Sequence, residues 1–266
     1  MKSQSLPYDM GNAGDLLKHG ILAEYTQWWC RNNAKPMRFL DPFGGRPWVE
    51  SPKYEVTLRV EKLSEFALFH AQPEPKNKYY GSSHIVNNMA KALGQDAQIF
   101  VSDRDSDALK DLCNSGLEKL CCPGFDPNNG VSILDTNIEA DLLLLDPFED
   151  FLISQDLKDS FQRIKSFSER MAVVVFILNK DQKNKIGRQY TKLKREYLSQ
   201  AWALHCPKLK NQKVRGESGY IIEILLLLPA FLRPSAKELR NTLIQYSQCL
   251  TKVLGASVQF LEGRSF

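Results

Sequence analysis

Long hydrophobic runs are missing from this chain of 266 residues. The longest, Tyr220 to Leu232, carries Glu223 and Pro229 and is too short to cross a bilayer, so no membrane role is expected. Met1-Lys2-Ser3-Gln4-Ser5 leads into polar sequence and not into an apolar secretory core, which makes a cytoplasmic protein the expectation. Cysteines at metal-clamp spacing are lacking too. Cys30, Cys113, Cys121, Cys122, Cys206 and Cys249 include no CxxC or CxxxH pair, and adjacent Cys121 and Cys122 make a poor zinc clamp. Reduced, mostly buried thiols and no bound metal are expected. Internal repeats and low-complexity segments are absent. Neither sign of charge dominates: 35 Lys and Arg face 31 Asp and Glu, and the net +4 permits a nucleic-acid partner without requiring one.

What is present is core material. Hydrophobic residues make up 43% of the chain and charged ones 25%, the balance of a globular protein, read here as one domain over residues 1–266. From Leu16 to Trp29 the apolar residues Leu16, Leu17, Ile21, Leu22, Tyr25 and Trp29 recur at helical spacing, with Asn12 or Asp15 as the cap. Five short apolar runs follow, each stopping at a polar residue. Met37–Leu40 ends at Asp41, Ile99–Val101 at Ser102-Asp103 and Val131–Leu134 at Asp135. Leu142–Leu145 ends at Asp146, and Ala172–Leu178 at Asn179. Helical patterns separate them, Ala108 to Leu120 being one. Continuous leucine and β-branched runs suit strands buried on both faces, so the expectation is a mainly parallel α/β sheet with helices on both sides. Ligands of such sheets bind beyond the carboxyl ends of the strands. Asp41, Asp103, Asp135 and Asp146 then gather along one edge. Singly, each is as readily a helix cap or turn residue; four in the same relative position argue for a shared site.

Residues 46–78, with Pro47, Pro52, Pro73 and Pro75, interrupt the alternation and read as an insertion or small subdomain. Towards the end, Ala201–Cys206 and Tyr220–Leu228 read as two strands joined by a basic loop, with an antiparallel strand at the sheet's edge. Lys237 to Leu254 reads as a closing helix.

The edge residues carry a specific chemistry. Gly44-Gly45 after the first strand lets bare backbone approach a ligand. Asp103 after the second can accept hydrogen bonds from ribose hydroxyls, and Asp135-Thr136 after the third can meet a purine ring. That ordered set suits a class I S-adenosylmethionine-dependent methyltransferase. A nicotinamide-binding domain is the competing reading, but its glycines are denser and its acid lies only about 20 residues further on. The fourth strand ends in Asp146-Pro147-Phe148-Glu149. A carboxylate followed by a proline carbonyl can accept hydrogen bonds from an exocyclic amine and turn its lone pair toward a methyl donor. Asp146 is also the candidate proton acceptor. Asp-Pro is, equally, a common turn dipeptide.

One segment is more specific. Gly11-Asn12-Ala13-Gly14-Asp15-Leu16-Leu17-Lys18-His19 closely resembles the amino-terminal GNxADxLKH motif of the 23S ribosomal RNA adenine-N6 methyltransferases of the RlmJ type, a family also described as acting in catabolism of external DNA. The likeness continues through Leu40-Asp41, Tyr79-Tyr80-Gly81-Ser82, Asp103, Asp135 and Asp146-Pro147, in order, over most of the chain. It implies a Rossmann-like class I methyltransferase fold, S-adenosyl-L-methionine as cofactor, and ribosomal RNA as partner with DNA as the alternative. It implies a cofactor role for His19 with Lys18 beside it, for Ser82, for Asp103 in place of the family's Glu, and for Asp135 with Thr136. Asp146, with Pro147, takes the catalytic role. A monomer is expected.

The departures from that pattern define a second reading. Where the family has DPPY this chain has Asp146-Pro147-Phe148-Glu149, so Glu149 stands where an aromatic would stack on the target base. Such stacking is worth roughly 1–3 kcal/mol. Phe148 or Phe151 is the nearest substitute. Phe43, beside Gly44, replaces a cofactor-contacting His, and Gln4 replaces a Tyr near the target base, with Tyr8 the nearest aromatic. A catalytically degenerate nucleic-acid-binding relative, linked to use of external DNA, is therefore the alternative to an active enzyme. Basic residues cluster at Lys180, Lys183, Lys185, Arg188, Lys192, Lys194 and Arg195, and again at Lys208, Lys210, Lys213 and Arg215. They suit salt-sensitive phosphate contacts, or a solvated helix face.

Overall fold

The computed structural model describes residues 10–103, 105–121, 138–146, 157–179, 185–207 and 221–263. Helix α1 spans Ala13–Asn32. Its start is fastened reciprocally: the Asp15 amide donates to Asn12 Oδ1 at 3.1 Å, and the Gly11 amide donates to Asp15 Oδ2 at 2.9 Å. The first bond satisfies a backbone donor that a helix start leaves unpaired, and the second ties the Asp15 carboxylate to the residue before the cap.

Strand β1, Met37–Asp41, is followed by the proline-containing segment. It holds β2 (Trp48–Glu50), α2 (Tyr54–Glu61), α3 (Ala67–Ala71) and β3 (Lys78–Tyr80), with β2 and β3 paired antiparallel in a sheet of their own. Glu24 of α1 ties it down by accepting the Ala67 amide at 2.8 Å. Next come α4 (Ser82–Ala92), β4 (Ala97–Val101), α5 (Ser106–Cys113) and β5 (Leu120–Cys121). The second half supplies β6 (Leu142–Leu145), α6 (Leu157–Ser168), β7 (Ala172–Asn179) and α7 (Lys185–Tyr197). It ends with β8 (Trp202–Cys206), β9 (Ile221–Leu227), α8 (Lys237–Leu254) and β10 (Gln259–Glu262).

The main sheet runs β10-β8-β9-β7-β6-β1-β4-β5. Strands β5, β4, β1, β6 and β7 are parallel, while β9 lies reversed between β7 and β8. This is the class I methyltransferase fold, a Rossmann-like α/β sheet with its reversed strand slotted between two forward ones. Both faces are covered, as the continuous apolar runs demand. Along β6, Leu142 and Leu144 enter one core while Leu143 and Leu145 enter the other. Helix α1 crosses the first face against α3, α4, α8, β7 and β9, which explains why it is buried nearly all round. Among the described residues no helix is long and apolar enough to cross a membrane.

Two expectations need correction. Leu120–Cys121 pairs with β4, and the expected strand Val131–Leu134 lies outside the described residues. The helix expected over Ala108–Leu120 is Ser106–Cys113, because Asp105 caps it by accepting the Asp107 and Ala108 amides and the chain turns through Gly116 at φ +79°. The reversed strand β9 is interior, and the antiparallel edge is β10 pairing with β8.

Candidate active site

The chain order reverses at β1, which sends β4 and β5 to one side and β6 and β7 to the other. Open α/β sheets bind ligands at the carboxyl end of such a switch point. A cavity of ≈ 270 Å³ opens there. Asn12, Asp15, Lys18 and His19 of the first helical turns line it, with Phe43 to Arg46 after β1, Gly81 and Ser82 at the start of α4, and Asp146 after β6.

Two helix starts therefore face one space. The turn between them is close-fitting: a side chain at Gly81 would put its Cβ 2.6 Å from the Arg46 carbonyl oxygen. Gly45 adopts φ +62°, a left-handed conformation that glycine takes at no steric cost. Behind the turn stands Asp103, which accepts the Gly45 amide on Oδ2 and the Asp105 amide on Oδ1, both at 2.7 Å. Asp103 thus braces the glycine turn and is not itself among the cavity-lining residues.

Lys18 connects the two sides. Its ammonium pairs with Asp146 at 2.5 Å and with Asp15 at 3.2 Å. Burial raises the Asp15 carboxyl above its ordinary range, and the Lys18 charge offsets part of that. His19 is 1% exposed; burial first, and then the Lys18 charge, holds its imidazole well below the usual histidine range, so it is neutral. Its Nδ1 lies 3.0 Å from the Tyr79 hydroxyl. Ser82 donates to Asp41 Oδ2 at 2.5 Å, and Asp41 Oδ1 accepts the Phe43 amide at 3.1 Å. Desolvation lifts the Asp41 carboxyl to about 7 despite the Ser82 and Phe43 hydrogen bonds.

The structure thus brings together Lys18, His19, Phe43, Gly44, Ser82 and Asp146, with Asp103 one layer behind. Tyr8, Asp135, Thr136, Pro147 and Phe148 lie outside the described residues. Asp15 is read from sequence only as a helix cap, and Tyr79 only as part of the family-like Tyr79-Tyr80-Gly81-Ser82 segment. Asp41 is expected at the shared strand edge, with no role of its own. Lys194 needs a correction: expected in a cluster facing phosphate or solvent, it is 6% exposed and pairs with Glu223 at 2.8 Å. Among the described residues no group of three or more His, Cys, Asp or Glu side chains is placed to hold a metal ion.

No protein-family model matches the chain, and no curated protein matches it. Solved structures do. Protein LPL1258 from Legionella pneumophila str. Philadelphia 1, described by the family-model DUF519, has a TM-score of 0.65 at 18% identity, over 96% of this chain and 98% of that one. M. jannaschii TYW2 in complex with AdoMet has a TM-score of 0.37 at 8% identity, over 84% of this chain and 78% of that one. A precorrin-6y C5,15-methyltransferase from Geobacter metallireducens GS-15 has a TM-score of 0.36 at 8% identity, over 77% and 87%. The likeness to the Legionella protein is one of fold, along nearly the full length of both chains.

Proposed function

We propose that this protein is an S-adenosylmethionine-dependent methyltransferase that modifies the N6 amine of an adenine in 23S ribosomal RNA. The observation that carries the reading is Asp146, a proline-flanked carboxylate at the end of β6 that lines the same cavity as His19, Gly44 and Ser82.

The cavity suits a nucleoside with an amino-acid tail. The helix starts at Asn12 and Ser82 offer backbone N–H groups and positive dipole ends to a carboxylate. Gly44 and Gly45 offer bare backbone, and Asp103 fixes their turn. S-adenosylmethionine bound there supplies an electrophilic methyl group on a sulfonium. His19, Ser82 and the glycine turn are the groups that hold it. Asp146 accepts a hydrogen bond from the exocyclic amine and orients the nitrogen lone pair, so most of its effect is positioning and electrostatics. An adenine amine is barely basic, and its proton becomes acidic only as the new bond forms. Asp146 receives that proton, directly or through water. Lys18, bridging Asp146 and Asp15, restrains the carboxylate's orientation.

The test is transfer of labelled methyl from S-adenosylmethionine to unmodified 23S RNA, with the modified nucleoside identified by mass spectrometry. N6-methyladenosine is the expected product. Glu149, at the position of the family's stacking aromatic, favours the second reading of a non-catalytic nucleic-acid-binding relative. Cofactor binding without methyl transfer to RNA or DNA selects that alternative.

A further inference from the structure

We propose that Tyr79 is a positioning residue that holds His19 as its Nε2–H tautomer, so that the imidazole donates a hydrogen bond to a carboxylate on the ligand. The methyltransferase reading enters only in naming that ligand.

Tyr79 sits in the middle of β3 and is completely buried. Its ring stacks on His19, with centroids 5.6 Å apart and planes 29° from parallel, and its hydroxyl lies 3.0 Å from His19 Nδ1. Among the described residues the hydroxyl has no other hydrogen-bond partner. Burial, reinforced by nearby Asp15, keeps the phenol protonated by pushing it well above its ordinary range. A buried O–H with one polar neighbour donates to it, because the reverse arrangement leaves a donor unpaired in the interior. Nδ1 is then the acceptor. A neutral imidazole that accepts on Nδ1 carries its proton on Nε2.

The consequence concerns the ligand. His19 lines the cavity, its Nδ1 is committed to Tyr79, and Nε2 is the nitrogen left to meet what binds. As a donor it acts in the same sense as the starts of α1 and α4, which also favour negative charge. In the opposite tautomer Nε2 presents a lone pair and repels a carboxylate. The hydroxyl on β3 therefore selects for a nucleoside carrying an amino-acid tail over one without it.

Two measurements decide this. Long-range ¹⁵N–¹H correlation on histidine-labelled wild-type protein reads the tautomer directly, with His19 expected to be protonated on Nε2 alone; protonation on Nδ1 overturns the proposal. Calorimetry then compares S-adenosylhomocysteine with 5′-methylthioadenosine, which lacks the amino-acid tail. Tyr79→Phe is expected to weaken the first by about tenfold and the second by less than about twofold. Equal losses for both nucleosides, or none for the first, contradict a role through His19. If wild-type protein binds neither nucleoside, the methyltransferase reading fails, and the tautomer measurement still decides what Tyr79 does.

Discussion

Asp41 and Glu223 are both buried carboxyl groups, and the protein drives them in opposite directions. Desolvation raises Asp41 to about 7, since its partners are one hydroxyl and one backbone amide. Glu223, on β9, faces the same desolvation but ends near 2. Lys194 and the Tyr190 hydroxyl each donate to it at 2.8 Å, and His205 Nδ1 stands 3.5 Å away. The difference lies in how completely each cluster satisfies itself. Around Glu223 a lysine, a phenol and an imidazole close over the charge, with side chains from α7, β8 and β9. Around Asp41 the hydroxyl partner, Ser82, belongs to the wall of an open cavity. Both regions also contain a lysine–carboxylate pair. Lys194–Glu223 is sealed inside, whereas Asp146, which pairs with Lys18, keeps about a quarter of its side chain exposed. The same chemistry holds the fold together in one place and meets a ligand in the other.

Removing one carboxylate from each region should separate the two roles most sharply. Asp146→Ala is expected to lower single-turnover methyl transfer by about 10²–10⁴-fold, the usual range for a positioned acid–base group. Its urea midpoint should barely move. Glu223→Ala should do the reverse, costing about 3–5 kcal/mol in urea denaturation because it breaks a buried ion pair by removing one partner. The paired change Lys194→Met with Glu223→Leu should recover most of that loss. A large stability loss from Asp146→Ala, or none from Glu223→Ala, breaks the comparison.

Gly81→Ala tests the cavity wall itself. With the new Cβ 2.6 Å from the Arg46 carbonyl, backbone has to shift, at a cost of about 1–3 kcal/mol. Thermal unfolding reads that cost, and cofactor binding should weaken with it.

In pH dependence the two carboxyls have opposite signs. Asp41 is raised, so the folded protein binds its proton more tightly than the unfolded chain does. Its contribution is full below the ordinary value of 3.8 and is lost as pH rises toward about 7. Glu223 is lowered, so its contribution is present above 4.5 and is lost as pH falls toward about 2. Asp41→Asn should flatten part of the loss on the rising side, Glu24 accounting for another part because burial also lifts it to about 7. Glu223→Gln should flatten the loss on the acid side. Urea midpoints across pH 2 to 8 measure both.

Much of this architecture was legible in the sequence because apolar runs report burial. The four leucines of β6 and the β-branched run of β7 enter both cores, so their pattern could be read without neighbours. Lys237–Leu254 was legible by its helical period and by Gly255, which ends it in the left-handed region. Strands β5 and β10 were not, because one is only two residues long and the other is half-exposed, carrying Gln259 and Glu262 on a sheet edge. At the site, residues that share a strand end or a motif were legible: Lys18, His19, Gly44, Ser82 and Asp146. Contacts across the fold were not. Ser82 meets Asp41 from 41 positions away, and His19 meets Tyr79 from 60. Lys194 was misread for the same reason, since its partner lies 29 residues downstream on a different element.

The proposed S-adenosylmethionine site beyond the ends of β1 and β6 is tested by calorimetric titration of the intact protein with that compound. Saturable binding at one site per chain, weakened in His19→Ala, is the expected result. Absence of binding, or binding that His19→Ala leaves untouched, would contradict it.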